Sequence, residues 1–326
     1  MSRSTTHEEP SPMGEISVME NNNSIRNSFL LLLTAIIWGT SFVAQSAGME
    51  YIGPFTFSVI RYILGGTVLI PVILFIRKKS DKPGDLKLSI KYGIGCGTIL
   101  FAASNFQQIA MLRASAGKAG FITALYIILV PIIGIFFKKK TSRIIWLSVI
   151  LALIGLFFLC IGRNGSYTFE ISDIELLICS LIFSFHIIFV DKANSNDVDG
   201  VVVSSVQFYM AAFLSMFFVY PIDGCYLNMM PSLELIRSAL PALCYSGFMA
   251  CGVAYTLQIV GQKDVNPTVA SLIMSLESVV SAISGFVVLR QKLSVDEIIG
   301  CIIMFVAIIF AELPIGTNKK SEQSNA

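Results

Sequence analysis

SAGKAGFITAL, residues 115–125, aligns without gaps on NPTVASLIMSL, residues 266–276, at an offset of 151. Ala119, Ile122 and Leu125 recur as Ala270, Ile273 and Leu276. At the same offset Gln107 falls on Gln258 and Tyr126 on Glu277, and near an offset of 146 Arg61-Tyr62 falls on Gln207-Phe208. Agreement of this kind at one spacing is the mark of an internal duplication, to be weighed before any local motif. What the duplicated unit is follows from hydropathy. Charge-free apolar stretches cover 28–46, 92–112, 119–137, 144–162, 201–222 and 238–262. Those at 54–76 and 267–289 hold one charge each, Arg61 and Glu277, and weaker ones lie at 176–190 and 298–311. A helix crosses a bilayer with about 20 apolar residues, so ten spans are expected, five in each half. Five is odd, so the second half enters the membrane from the opposite face, an arrangement that places a site near midplane between the halves. The expected fold is therefore all-α and integral to the membrane: ten transmembrane helices as two inverted five-helix repeats.

Composition agrees. Of 326 residues 55% are hydrophobic and 13% charged, about half the charge of a soluble domain. Seven cysteines show no zinc-type spacing, no metal or cofactor is indicated, and the net charge of +2 asks for no nucleic-acid partner. With the N-terminus in the cytoplasm, sixteen lysines and arginines fall on the inner side and six on the outer. That bias sets both termini inside the cell membrane. The expected organisation is a disordered cytoplasmic tail over 1–27, a first repeat over 28–162, a linker over 163–173, a second repeat over 174–312 and a cytoplasmic tail over 313–326.

The runs LLLLTAIIWGTSFVAQ (30–45) and YIGPFTFSVIRY (51–62) resemble the first two helices of EamA-type members of the drug/metabolite transporter superfamily. NFQQIAMLRASAGKAGFITALYIILVPIIG (105–134) resembles the third and fourth, and the segment from Pro267 through LRQKLSVDEIIG (289–300) its counterpart in the second half. The resemblance covers about 28–312 and is weakest over 173–235. It implies ten helices in two inverted repeats, cytoplasmic termini and alternating access around a central cavity. One departure matters: family members often carry Glu-Pro in the ninth helix, whereas Ser278 follows Glu277 here. That puts in question any flexing the proline would give.

Charges deep in a span are costly, at least ~2.5–3.5 kcal/mol on insertion scales, and commonly face a cavity or a partner. Glu277 could bind a proton or a cationic solute, or be tied to Arg61 or a helix end. Arg61 could pair with Glu277, hold a carboxylate or phosphate, or reach out of the lipid along its own stem. Its repeat mate Gln207 is neutral. Asn105 and Gln108 share a face of the third helix, which also carries Gln107, and Tyr255 and Gln258 share one of the eighth. Such side chains can line a cavity or join helices. Trp38, Ser41 and Gln45 share a face of the first helix, and Trp38 and Tyr126 are either solute-facing or packing aromatics. His186 is a proton relay or a satisfied core histidine. Lys118 is expected to extend to the surface. Gly93, Gly95 and Gly97, with Gly65-Gly66, read as small faces for close helix packing, and no Walker sequence appears.

The expected function is a secondary transporter of a small organic metabolite, amino-acid-like or other, by alternating access and with a proton as candidate co-substrate. The alternatives are a lipid flippase and an intramembrane enzyme, against which stands a single membrane histidine with no nearby acid in sequence; an enzyme is not expected. The expected partners are the small-molecule solute and the lipid bilayer, with no oligomeric state assigned.

Overall fold

A computed structural model describes residues 12–80, 82–114, 116–136, 142–161, 170–263, 265–289 and 295–312. Among these residues every regular element is helical. We label the principal helices α1 (Pro12–Met49), α2 (Pro54–Lys79), α3 (Leu86–Ala110), α4 (Ala116–Thr123 and Tyr126–Phe136), α5 (Arg143–Ile161), α6 (Ile171–Asn194), α7 (Gly200–Phe218, then π-helical turns Val219–Tyr226), α8 (Leu240–Gly261, π-helical over Tyr245–Tyr255), α9 (Pro267–Met274 and Glu277–Leu289) and α10 (Val295–Glu312). Eight are long and apolar enough to cross a membrane. α5 and α10 contribute shorter apolar stretches, Arg143–Gly155 and Ile298–Phe310. α1 starts at Pro12, inside the stretch expected as a tail, and its apolar part runs from Ile25 to Met49. The rest of both expected tails and most of the linker lie outside the described residues.

The helix ends are written in familiar residues. Asp85 caps α3 by accepting from Lys87 N and Leu88 N, Asp199 caps α7 and Asn266 caps α9. Arg77, Lys78 and Lys79 sit at the negative end of the α2 dipole. The N-terminus of α2 is capped from another helix. Buried Asp223, from the end of α7, accepts from Phe55 N at 3.2 Å, Thr56 N at 2.6 Å and Thr56 Oγ1 at 2.7 Å. Gly53 supplies no side-chain cap there, and a Cβ on it would run into the Asp223 carboxyl. This clasp fixes α2, and with it Arg61 two turns further on.

Helix contacts obey an exchange rule. α1 packs on α8 and α9 as α6 packs on α3 and α4, and α2 meets α8 as α7 meets α3. α2 also packs on α7, α4 on α9 and α5 on α10. Replacing each helix by the one five places away leaves this scheme unchanged. The two crossings of α2 with α8 and α3 with α7 are made close by glycine. A Cβ on Gly65 would lie 2.5 Å from Cys251 Cβ, and one on Gly97 would lie 2.5 Å from the Gln207 carbonyl. Gly93 likewise meets Val206. The small-residue faces read from the sequence are therefore where helices touch.

The breaks in α4 and α9 also repeat. Leu125 N bonds Ile122 O at 3.2 Å and Ile127 N bonds Ala124 O at 3.1 Å. The matching bonds 151 residues on are Leu276 N to Ile273 O at 3.2 Å and Ser278 N to Ser275 O at 3.2 Å. Each break is a tight turn immediately before Tyr126 or Glu277.

Candidate functional site

The two breaks face one another at the centre of the bundle. Tyr126 Oη donates to Glu277 Oε1 at 3.0 Å, so a residue touches its own repeat mate. Gly39 brings α1 against the same point, because a Cβ there would lie 2.6 Å from the Glu277 carbonyl oxygen. Beside this contact is a small cavity of about 40 Å³. α1 contributes Trp38, Ser41, Phe42 and Gln45, α2 Arg61, α3 Gln107, α4 Thr123 and Tyr126. Phe183 of α6, Ala250, Cys251 and Tyr255 of α8 and Glu277 of α9 complete the wall.

Arg61 is 5% exposed. Its Nη1 donates to Gln45 Oε1 and its Nη2 to Tyr62 Oη at 3.0 Å, with the guanidinium 4.7 Å from the Tyr62 ring. Nε has no acceptor. Among the described residues no carboxylate lies within ion-pair distance of it. The direct Arg61–Glu277 pair weighed from the sequence is therefore absent. Both charges line one cavity, each held by neutral groups, because Arg61 reaches along α1 to Gln45 while Glu277 turns to Tyr126.

Gln45 is the local organiser. Its Oε1 also accepts from Gln108 Nε2, and its Nε2 donates to Ser41 Oγ at 3.1 Å. Trp38 is fixed by an indole N–H bond of 3.2 Å to Ala250 O and by the Tyr255 ring 4.6 Å away. Thr34 Oγ1 similarly bonds Ala254 O at 3.2 Å. The π-helical turns of α8 offer these carbonyls to α1, so polar side chains meet backbone groups inside the bundle.

Of the residues named from sequence, Trp38, Ser41, Gln45, Arg61, Gln107, Tyr126, Tyr255 and Glu277 line the cavity. Gln108 stands one bond behind it. Asn105 instead ties α3 to α7, donating to Ser215 Oγ at 3.0 Å and to Phe101 O at 2.8 Å. His186 Nε2 and Gln207 Oε1 are 3.1 Å apart in the buried interior, so α6 meets α7 through an amide much as α1 meets α2 through Gln45. Gln258 is buried away from the cavity wall. Lys118 does not simply extend outward: its Nζ pairs with Asp173 at 2.8 Å and Glu170 at 3.4 Å, since the start of α6 brings two acids beside it. The aromatic wall residues Phe42 and Phe183 were not singled out, being indistinguishable from packing residues in the chain. Thr123 was not singled out either; its place three residues before Tyr126 is its one sign in the chain.

A family model described as EamA-like transporter family matches residues 26–161 and again 171–313. An uncharacterized transporter of Archaeoglobus fulgidus is 27% identical over 87% of this chain and 84% of its own length. One of Bacillus subtilis is 21% identical over 84% of this chain and 92% of its own. A Salmonella typhimurium protein named as a probable amino-acid metabolite efflux pump is 27% identical over 44% of this chain and 46% of its own. A solved crystal structure superimposes with a TM-score of 0.70 over 88% of this chain and 96% of its own, at 19% identity, a likeness of fold.

Proposed function

This chain belongs to the EamA-like transporter family, and from that premise we propose that it moves a small organic solute by alternating access between two inverted halves, with Glu277 as the proton-carrying group. It is a multi-pass membrane protein and a transporter; its family and relatives point to transport, not catalysis. The double family match, divided between α5 and α6, and the exchange rule of helix packing support the ten-span inverted repeat. In that arrangement α5 and α10 join the eight longer spans and both termini face the cytoplasm of the cell membrane. The observation that carries the reading is the Tyr126–Glu277 contact. It sets a carboxyl group and the ends of two broken helices beside a cavity between the halves. Rocking of one half against the other would expose that point to each side in turn. The name of the Salmonella relative makes export the first direction to examine and amino-acid-like solutes one arm of the panel.

The test is flux in liposomes holding the purified protein, across a metabolite panel, with and without a pH gradient. Glu277→Gln is expected to abolish gradient-driven uptake, at least a hundredfold, and to leave exchange of internal for external solute within about threefold. Loss of both would assign Glu277 to solute binding or folding and reject it as the proton carrier.

A further inference from the structure

The cavity has two charged residues, and they are provided for differently. Glu277 has a donor in Tyr126. Among the described residues Arg61 has only a neutral amide, a phenol and the faces of Tyr62 and Phe57, and its Nε meets no acceptor. A buried cation held by neutral groups alone lacks the counter-charge that normally offsets its desolvation. The missing partner is an anion, and the guanidinium fork fits a planar carboxylate. A phosphate dianion would face a single cation with Glu277 in the same wall. The rest of the wall sets an apolar side, Trp38, Phe42, Phe183 and Ala250, beside the neutral polar groups of Ser41, Gln45, Gln107, Thr123, Tyr126 and Tyr255.

Resting on the transport reading above, we propose that the solute is a monocarboxylate with an apolar body: its carboxylate completes Arg61, its body lies against Trp38, Phe42 and Phe183 once the small cavity widens to admit it, and no ammonium group is needed. Glu277 remains free for its own proton while such an acid is bound, so the two charges serve different cargo. This separates the solute from amino-acid-like zwitterions, which would engage both charges at once.

Binding can be read from the cavity itself. The chain has two tryptophans, and Trp146→Phe leaves Trp38 as the sole reporter in the full-length protein. Phenylacetate is expected to change Trp38 emission saturably and to bind at least tenfold more tightly than the isosteric phenylacetamide, with phenethylamine weaker still. In Arg61→Gln the acid-to-amide ratio should fall to about one. The unmodified site decides the matter even if that variant does not fold. Equal binding of acid and amide, tighter binding of the amine, no acid binding at millimolar concentration, or phenylalanine binding tenfold more tightly than phenylacetate would each overturn the proposal. Flux without acid preference would defeat only this assignment. Acid preference without flux would defeat only the transport reading.

Discussion

α4 and α9 make the same break with different chemistry. In α4 the turn at Ala124-Leu125 is followed by Pro131, which has no N–H for the Ile127 carbonyl and crowds it. Its repeat counterpart in α9 is Ala282, and α9 from Pro267 onward has no further proline. Instead three hydroxyls bond back three residues: Ser271 to Thr268 O at 2.8 Å, Ser275 to Leu272 O at 2.7 Å and Ser278 to Ser275 O at 2.6 Å. The positions matching them in α4 are Gly120, Ala124 and Ile127, none with a hydroxyl. Serine back-bonding of this kind loosens and bends a helix. The absent Glu-Pro pair therefore does not straighten α9; the break before Glu277 is kept by serine. A duplicated unit can thus diverge in residue type while the backbone geometry that the site depends on stays fixed.

The largest effect should come from forcing the α4 solution onto α9. Ala282, the best of helix formers, lies inside the regular segment Glu277–Leu289, where its amide belongs to the helical ladder. Ala282→Pro is expected to destabilise the protein by about 3 kcal/mol, read as a fall in the thermal midpoint in detergent. A cost below about 1 kcal/mol would mean the two breaks are interchangeable and would undo the contrast. Next comes Gly39→Ala, which presses a methyl onto Val280 and the Glu277 carbonyl. About 1–3 kcal/mol of destabilisation is expected, whereas Gly120→Ala, whose added Cβ would meet Phe42 and Ser281 at 3.6 Å, should change little. Equal costs at the two glycines would show that α1 is no more closely fitted to α9 than to α4. Tyr126→Phe removes one buried bond between α4 and α9, worth about 0.6 kcal/mol by membrane-protein averages. Its readout is gradient-driven uptake, expected to slow severalfold with exchange retained.

What could be read from the chain follows from this contrast. The spans, the repeat and the two isolated charges are visible because each is a property of composition along one line. Arg61 and Glu277 stand out by being charged where their neighbours are not. Whether they pair is a matter of side-chain reach in three dimensions, and Gln45, an ordinary amide in the sequence, decides it. The Ala250 carbonyl that holds Trp38 is exposed by π-helical turns that no residue of α8 announces. Phe42 and Phe183 carry no sign that distinguishes a cavity wall from a core. Asp223 lies just past an apolar run and reads as a loop charge, yet it caps a helix 167 residues away in the chain.

The double change Ser275→Ala with Ser278→Ala isolates the bend from the helix. Each loses a hydroxyl bond to a carbonyl of its own helix, and alanine offsets that loss by its higher helix propensity. Stability should therefore stay within about 0.5 kcal/mol of the parent, the smallest change in the series. Flux should nonetheless fall about threefold, because a straighter α9 moves Glu277 relative to Tyr126 and stiffens the element that must flex between states. Pro131→Ala supplies the matching perturbation in α4, and combining it with the serine pair should slow flux more than either alone. A stability loss near 2 kcal/mol for the serine pair would mean that the hydroxyls hold the helix together. Unchanged flux in the combined variant would mean that neither break takes part in the motion, and the comparison of α4 with α9 would then concern folding only.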